Sequence, residues 1–258
     1  MEDRDNLLDF ATRVAEGAGR ITLEHFGRAA VEFKGDGSEV TAADHAAEAY
    51  VRSELAEAFP DDGIVGEEGD DVPSRSGRRW IVDPIDGTRS FSCGVPLYAV
   101  LLALEEEGQP TLGCCHFPAL RQTLVAAAGA GAWTGGERAR VSECETLADA
   151  RLATSGFEYW RDRSSDADRA GWERLVRATR FARTWGDAYG YFLVATGRID
   201  LLADPICGSY WDYAPMIPVF AEVGGGFTTF RGSALSPGSS VLASNGRLHE
   251  AASRVLLG

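Results

Sequence analysis

The chain has 258 residues with 45% hydrophobic and 25% charged side chains, the composition of an ordinary globular protein able to bury a sizeable core as one large domain or two tightly joined halves. A formal net charge of −14 excludes attraction of nucleic acid or of an anionic membrane by bulk electrostatics, and it leaves any phosphate-bearing substrate dependent on a local reversal of sign, such as a bound cation. Five cysteines, an odd number with no C-x-x-C pair, and four scattered histidines with no H-E-x-x-H argue against a disulfide framework and a zinc site.

Leu7, Ala11, Val14, Ala18 and Ile21 recur at steps of three and four and predict an amphipathic helix over 3–27. The acidic start, MEDRDNLLDF, lacks the features of a secretory or transit peptide, and a cytoplasmic setting is expected. Thr41 to Asp44 resembles a capping box and opens a second helix that runs to about Phe59, ahead of a turn at Pro60-Asp-Asp-Gly63. Strands are expected at 79–83, 97–104, 111–117 and 122–128, all apolar runs bounded by Gly, Glu or Pro. A seam falls around 135–150, dividing the chain into halves 1–145 and 146–258. Beyond it, strands near 151–154, 181–184, 199–203 and 240–243 alternate with helices at 166–178, 187–197 and 213–223, the last closed by Gly224-Gly225-Gly226. Strands clustered in the first half and alternation in the second predict α+β followed by α/β on one layered core.

Three segments carry chemistry: Gly66-Glu67-Glu68-Gly69, then Trp80-Ile-Val-Asp83-Pro-Ile-Asp86-Gly-Thr88, then Trp211-Asp212. Taken singly, an Asp-Gly is most often a turn, a Glu-Glu pair a solvated loop, and Trp-Asp or Thr-x-x-Asp a helix cap. Together they supply Glu67, Asp83, Asp86 and Asp212, an all-oxygen set that suits Mg²⁺ rather than zinc or copper. Carboxylates so close repel and protonate unless a cation sits among them. Gly87 and Thr88 are placed to open a helix whose N–H groups face a phosphate.

GEEG, WIVDPIDGT and a WD ahead of a Gly-rich helix end resemble the signature of the inositol monophosphatase superfamily, over essentially the whole chain. The resemblance implies a layered α/β/α/β/α sandwich and a Mg²⁺-dependent, lithium-sensitive phosphate monoester hydrolase that often forms dimers. It also implies two to three ions. Glu67, Asp83 and the Ile85 carbonyl would hold the first, and Asp83, Asp86 and Asp212 the second. Glu67 would help hold a third. Thr88, oriented by Asp44, would act with Glu67 on the attacking water, and the N–H groups of Gly87 and Thr88 would hold the phosphate. Within the superfamily, Asp86-Gly-Thr-Arg-Ser-Phe91, the run from Arg183 through Asp187 to Tyr191, and Asp204-Pro205 resemble the histidinol-phosphate phosphatases, whose substrate-binding roles would fall to Arg183, Asp187 and Asp204. Asp187 would meet a cationic amine or an imidazole N–H. Cys114-Cys115-His116 and Gly208-Ser209-Tyr210 depart from the pattern. The alternatives within this fold are inositol phosphate or broad sugar-phosphate specificity. A non-catalytic divalent-ion-binding protein is the alternative of another class.

Overall fold

The computed structural model describes residues 4–28, 32–33 and 39–258. Its elements are α1 (Arg4–His25), β1 (Glu32–Phe33), β2 (Glu39–Val40), α2 (Ala42–Ala58), β3 (Gly63–Gly66), β4 (Arg78–Asp86), α3 (Thr88–Ser92), β5 (Ala99–Glu106), β6 (Gln109–Phe117), β7 (Gln122–Ala127), β8 (Gly131–Thr134) and β9 (Glu137–Arg138). There follow β10 (Arg151–Ala153), α4 (Phe157–Asp162), α5 (Asp166–Ala178), β11 (Phe181–Arg183), α6 (Asp187–Ala195), β12 (Leu201–Asp204), α7 (Tyr210–Tyr213), α8 (Met216–Val223), β13 (Gly226–Thr228), β14 (Val241–Ser244) and α9 (His249–Leu257). Residue 3, where the first helix was expected to begin, lies outside the described residues.

Strands β3 to β9 form a sheet in sequence order, with β3 and β4 parallel and every later neighbour antiparallel. The second sheet runs β11-β10-β12-β14-β13, parallel around β10 and antiparallel around β14. The continuous apolar run of β5 reflects cover on both faces, since side chains alternate along a strand. Val100, Leu102 and Leu104 face α1 and α2, where Leu7, Val14, Val51 and Leu55 pack. Leu101, with Cys115, Phe117 and Leu124, faces the opposite way onto α6 and α8, against Phe192, Val219 and Phe220.

Leu202, Val241 and Ala243 of the second sheet close the same middle cluster from the far side. The outer face of that sheet, through Leu152, Leu201 and Leu242, is covered by Trp160, Trp172, Leu175 and Leu256 of α4, α5 and α9. The layers are therefore α1/α2, sheet, α6/α8, sheet, α4/α5/α9, the expected α/β/α/β/α sandwich.

Two boundaries that bear on the site differ from the sequence reading. The helix expected over 213–223 is two helices, α7 and α8, because Pro215 sits between them and lacks the N–H that would continue the first. Strand β4 continues through Pro84 to Asp86 instead of ending at Asp83, with a bulge in its pairing to β5. Cys114 and Cys115 are buried in β6. Among the described residues no helix is long and apolar enough to cross a membrane.

Candidate active site

The bulge in β4 brings two carboxylates together. Residues three apart on a regular strand point to opposite faces. Here Asp83 pairs with Leu101 and Asp86 with Ala99, so three steps on β4 match two on β5. The extra residue resets the alternation, and Asp83 and Asp86 converge. Asp212 joins them from α7, and among the described residues these three offer carboxylate oxygens that all lie within 4.8 Å of one another. One Asp212 oxygen accepts the Ser209 N–H at 2.5 Å, which ties the carboxylate to the start of its own helix. Gly208 permits this fold-back, because a Cβ there would lie 1.8 Å from Asp212 Oδ2.

Asp83 is 1% exposed. Its Oδ1 accepts the Ile85 N–H at 3.0 Å, whereas its Oδ2 is buried with no hydrogen-bond partner among the described residues. Burial pushes the Asp83 carboxyl well above the usual carboxylate range, and the charges of Glu67, Asp212 and Asp86 push the same way. Asp86 is raised by burial and by the charges of Asp187 and Asp212, against the Ala188 N–H that it accepts at 2.9 Å. Asp212 is raised to about 7, by burial first and then by Glu67. Two buried carboxylates and a half-buried third, crowded together with an orphaned oxygen, suit a hard cation, which replaces the missing hydration and relieves the repulsion. The cluster can hold a metal ion.

These residues line a cavity of about 360 Å³ together with Glu67, Ile85, Gly87, Thr88, Asp187 and Asp204. Gly87, at φ 79°, turns the chain from β4 into α3. Asp187 takes φ 54° at the first turn of α6, and its N–H donates to Ser155 Oγ at 3.0 Å. Its carboxyl, raised to about 6 by burial, caps nothing and lies near Gly87 on the cavity wall.

A family model described as the inositol monophosphatase family matches residues 3–256. The chain belongs to this family. It is a phosphate monoester hydrolase of the inositol monophosphatase family. A histidinol-phosphatase of Chlorobaculum parvum is 43% identical over 227 residues, covering 87% of this chain and 86% of the relative. A histidinol-phosphatase of Mycobacterium tuberculosis is 37% identical over 257 residues, covering 95% of each. The solved IMPase of Thermotoga maritima superposes with a TM-score of 0.87 at 33% identity, over 97% of this chain and 96% of that one.

Two of the expected site residues, Asp44 and Arg183, are not among those that line the cavity. Asp44 is a helix-capping residue: its Oδ2 accepts the Thr41 N–H at 2.8 Å and the Thr41 hydroxyl at 2.7 Å. The Thr88 hydroxyl donates to the Ile85 carbonyl at 3.2 Å, so Ile85 rather than Asp44 orients it. Arg183 is exposed at the end of β11, donates to the Ala182 carbonyl and lies over the Phe181 ring, outside the cavity lining. A charged side chain at a strand end prefers solvent, and nothing in the fold turns this one inward.

Asp204 does line the cavity, but with its oxygens engaged. It accepts the Thr154 hydroxyl at 2.5 Å, the Ser155 N–H at 2.9 Å and the Ser155 hydroxyl at 2.6 Å, while burial raises its carboxyl to about 7. Asp204 thereby fixes Ser155, which fixes the Asp187 backbone. Ser155, Tyr159, Tyr191 and Cys207 also line the wall, as do Arg89, Arg163, Ile206 and Gly208. Sequence reading missed Ser155 because a lone Ser after a strand carries no pattern.

Proposed function

We propose that this chain hydrolyses histidinol phosphate to histidinol and phosphate with Mg²⁺, two to three ions per site, as a cytoplasmic homodimer. Supporting the metal reading is the orphaned Asp83 Oδ2 among Asp86 and Asp212. Glu67, Asp83 and the Ile85 carbonyl would hold one ion, and Asp83, Asp86 and Asp212 another. The bound ions would supply Lewis acidity toward the phosphate and make a water acidic enough to attack it. Lithium inhibition belongs to the same reading. Residues 1–145 would carry most of the ligands and 146–258 would add Asp212 and the substrate wall.

The chain's own groups then take defined parts. With its proton given to the Ile85 carbonyl, the Thr88 hydroxyl presents its lone pairs to the attacking water. Thr88 thus accepts a hydrogen bond from one O–H of that water, and Glu67, on the same cavity, is the base that takes the other proton. The N–H groups of Gly87 and Thr88 hold phosphate oxygens. Asp187 carries the substrate choice. It is a half-buried carboxylate beside Gly87, where the ammonium or imidazole of histidinol phosphate would meet it, and inositol phosphate has no such cation. The relatives named histidinol-phosphatase support the same choice.

A phosphate-release assay with Mg²⁺ on histidinol phosphate, inositol 1-phosphate and 3′-phosphoadenosine 5′-phosphate tests this. The highest kcat/KM is expected for histidinol phosphate, and a higher one for either of the others overturns the substrate reading. Full activity in excess chelator overturns the metal reading. Light scattering in solution checks the dimer.

A further inference from the structure

The Gly66–Asp70 loop carries Glu67. Glu67 N–H reaches the Val82 carbonyl at 3.2 Å. The next two N–H groups, of Glu68 and Gly69, both donate to one side chain of α2. Glu48 Oε2 accepts Glu68 N–H at 2.9 Å and Glu48 Oε1 accepts Gly69 N–H at 2.8 Å. Glu48 is 2% exposed, and a charge so deeply buried requires a partner. The partner is Arg52, one helical turn on, whose Nε donates to Glu48 Oε1 at 2.7 Å. The same guanidinium donates to the Gly69 and Asp70 carbonyls, each at 2.9 Å. The pair thus holds two N–H groups and two carbonyls of the loop. A Cβ on Gly66 would stand 2.5 Å from Glu48 Oε1 and 2.7 Å from an Arg52 nitrogen, so the loop closes onto the pair only with glycine there.

The loop needs such a restraint. Glu67 lines the same cavity as Asp83, Asp86 and Asp212, and like charges gathered there repel one another and push Glu67 outward. Glu68, Asp70 and Asp71 add to the local negative charge. A loop fixed only by its backbone would yield to this repulsion and carry Glu67 away from the cluster.

We propose that Glu48 and Arg52 are positioning residues for the metal site: they clamp the 66–70 loop so that Glu67 stays on the carboxylate cluster, and they set cation affinity, since at saturating Mg²⁺ the bond of Glu67 to the ion would itself keep this base in place. This rests on the reading of Glu67 as a metal ligand. Partners one step removed from the ligands characteristically govern affinity by about 10- to 100-fold.

The test is direct binding of Mn²⁺, followed by electron paramagnetic resonance, and the rise in melting temperature on adding Mg²⁺, for wild type, Glu48→Gln, Arg52→Lys and Glu67→Gln. Glu48→Gln is expected to weaken Mn²⁺ binding about 10- to 100-fold and to shrink the Mg²⁺-induced rise, with kcat at saturating Mg²⁺ within about threefold of wild type. Arg52→Lys keeps the charge but loses the reach to both carbonyls, and it should act in the same direction should Glu48→Gln not fold. On a Glu67→Gln background, Glu48→Gln should add no further loss of affinity, whereas a role in general stability would add one. Unchanged Mn²⁺ affinity in both clamp variants, with Glu67→Gln impaired, overturns the clamp. Unchanged affinity in Glu67→Gln overturns the ligand reading on which it stands.

Discussion

Asp187 sits at φ 54°, where Asp and Asn are tolerated and most other residues are strained, so the informative substitution is Asp187→Asn. It keeps the backbone and the shape and removes only the charge. If Asp187 meets the cationic end of histidinol phosphate, kcat/KM for that substrate should fall about 10- to 150-fold, matching roughly 1.5–3 kcal/mol for a charged hydrogen bond. The neutral ester p-nitrophenyl phosphate should be nearly unaffected, and equal losses on both substrates would return Asp187 to a purely structural part. Asp83→Asn makes a second, opposite pair of expectations. Activity with Mg²⁺ should nearly vanish, while the melting temperature in chelator should rise, because an amide relieves the repulsion around an orphaned buried carboxylate. Asp83, Asp86 and Asp212 could be picked out from the sequence because three separate motifs supplied acids and no other hard-ligand set competed. The Asp44–Thr88 link could not be checked there, since whether a carboxylate caps its own helix or reaches across depends on side-chain choices that spacing leaves open. Glu48 and Arg52 were hidden differently: Asp44, Glu48 and Arg52 repeat every four residues on one face of α2, and a charged stripe at that spacing ordinarily faces water.

Elements set where Asp212 stands. Tyr210, two residues before it on α7, donates its hydroxyl to Glu105 Oε2 at 2.6 Å. Glu105, on β5, also takes Arg79 of β4 in a two-point bond at 2.5 and 3.1 Å. The short helix is thus pinned to the strand pair whose β4 member bears Asp83 and Asp86. Tyr210→Phe should lower stability by about 1.5 kcal/mol, the low end for a hydrogen bond to a charged group, because Arg79 still satisfies Glu105. It should also raise the Mg²⁺ concentration for half-maximal activity. Urea unfolding and a Mg²⁺ titration check the two, and an unchanged Mg²⁺ requirement would mean that Asp212 holds its place without this anchor. At this scale most helices and strands were readable from apolar periodicity. The β4 bulge was not, because proline after Asp83 is as good a signal for ending a strand as for kinking it, and tertiary pairing with β5 decides between them.

Across the whole molecule, the raised carboxyls link metal to pH. Asp212 holds its proton up to about 7 in the folded chain, against an ordinary 3.8. Asp204 and Asp187 are raised to about 7 and about 6. Between about pH 4 and 7 the unfolded chain ionises these groups and the folded chain does not, so their contribution to stability is full below that window and is lost as pH rises through it. In chelator, wild type should therefore lose melting temperature relative to Asp212→Asn as pH rises from about 4 to 7. Mg²⁺ should close most of that gap at pH 7 and above, because it binds the ionised cluster. A gap that is constant with pH would show that Asp212 does not carry this load.

The middle layer has a consequence for the order in which the molecule can be made. The inner face of the first sheet, with Leu101, Cys115, Phe117 and Leu124, is covered by α6 and α8, whose residues 187–195 and 216–223 leave the ribosome long after β7. Until then that apolar face stands bare on the nascent chain. Release of a fragment ending before residue 187 should yield aggregates rather than a folded piece. Completion of the sheet waits on contacts distant in sequence, which makes for slow folding and for dependence on chaperones during synthesis.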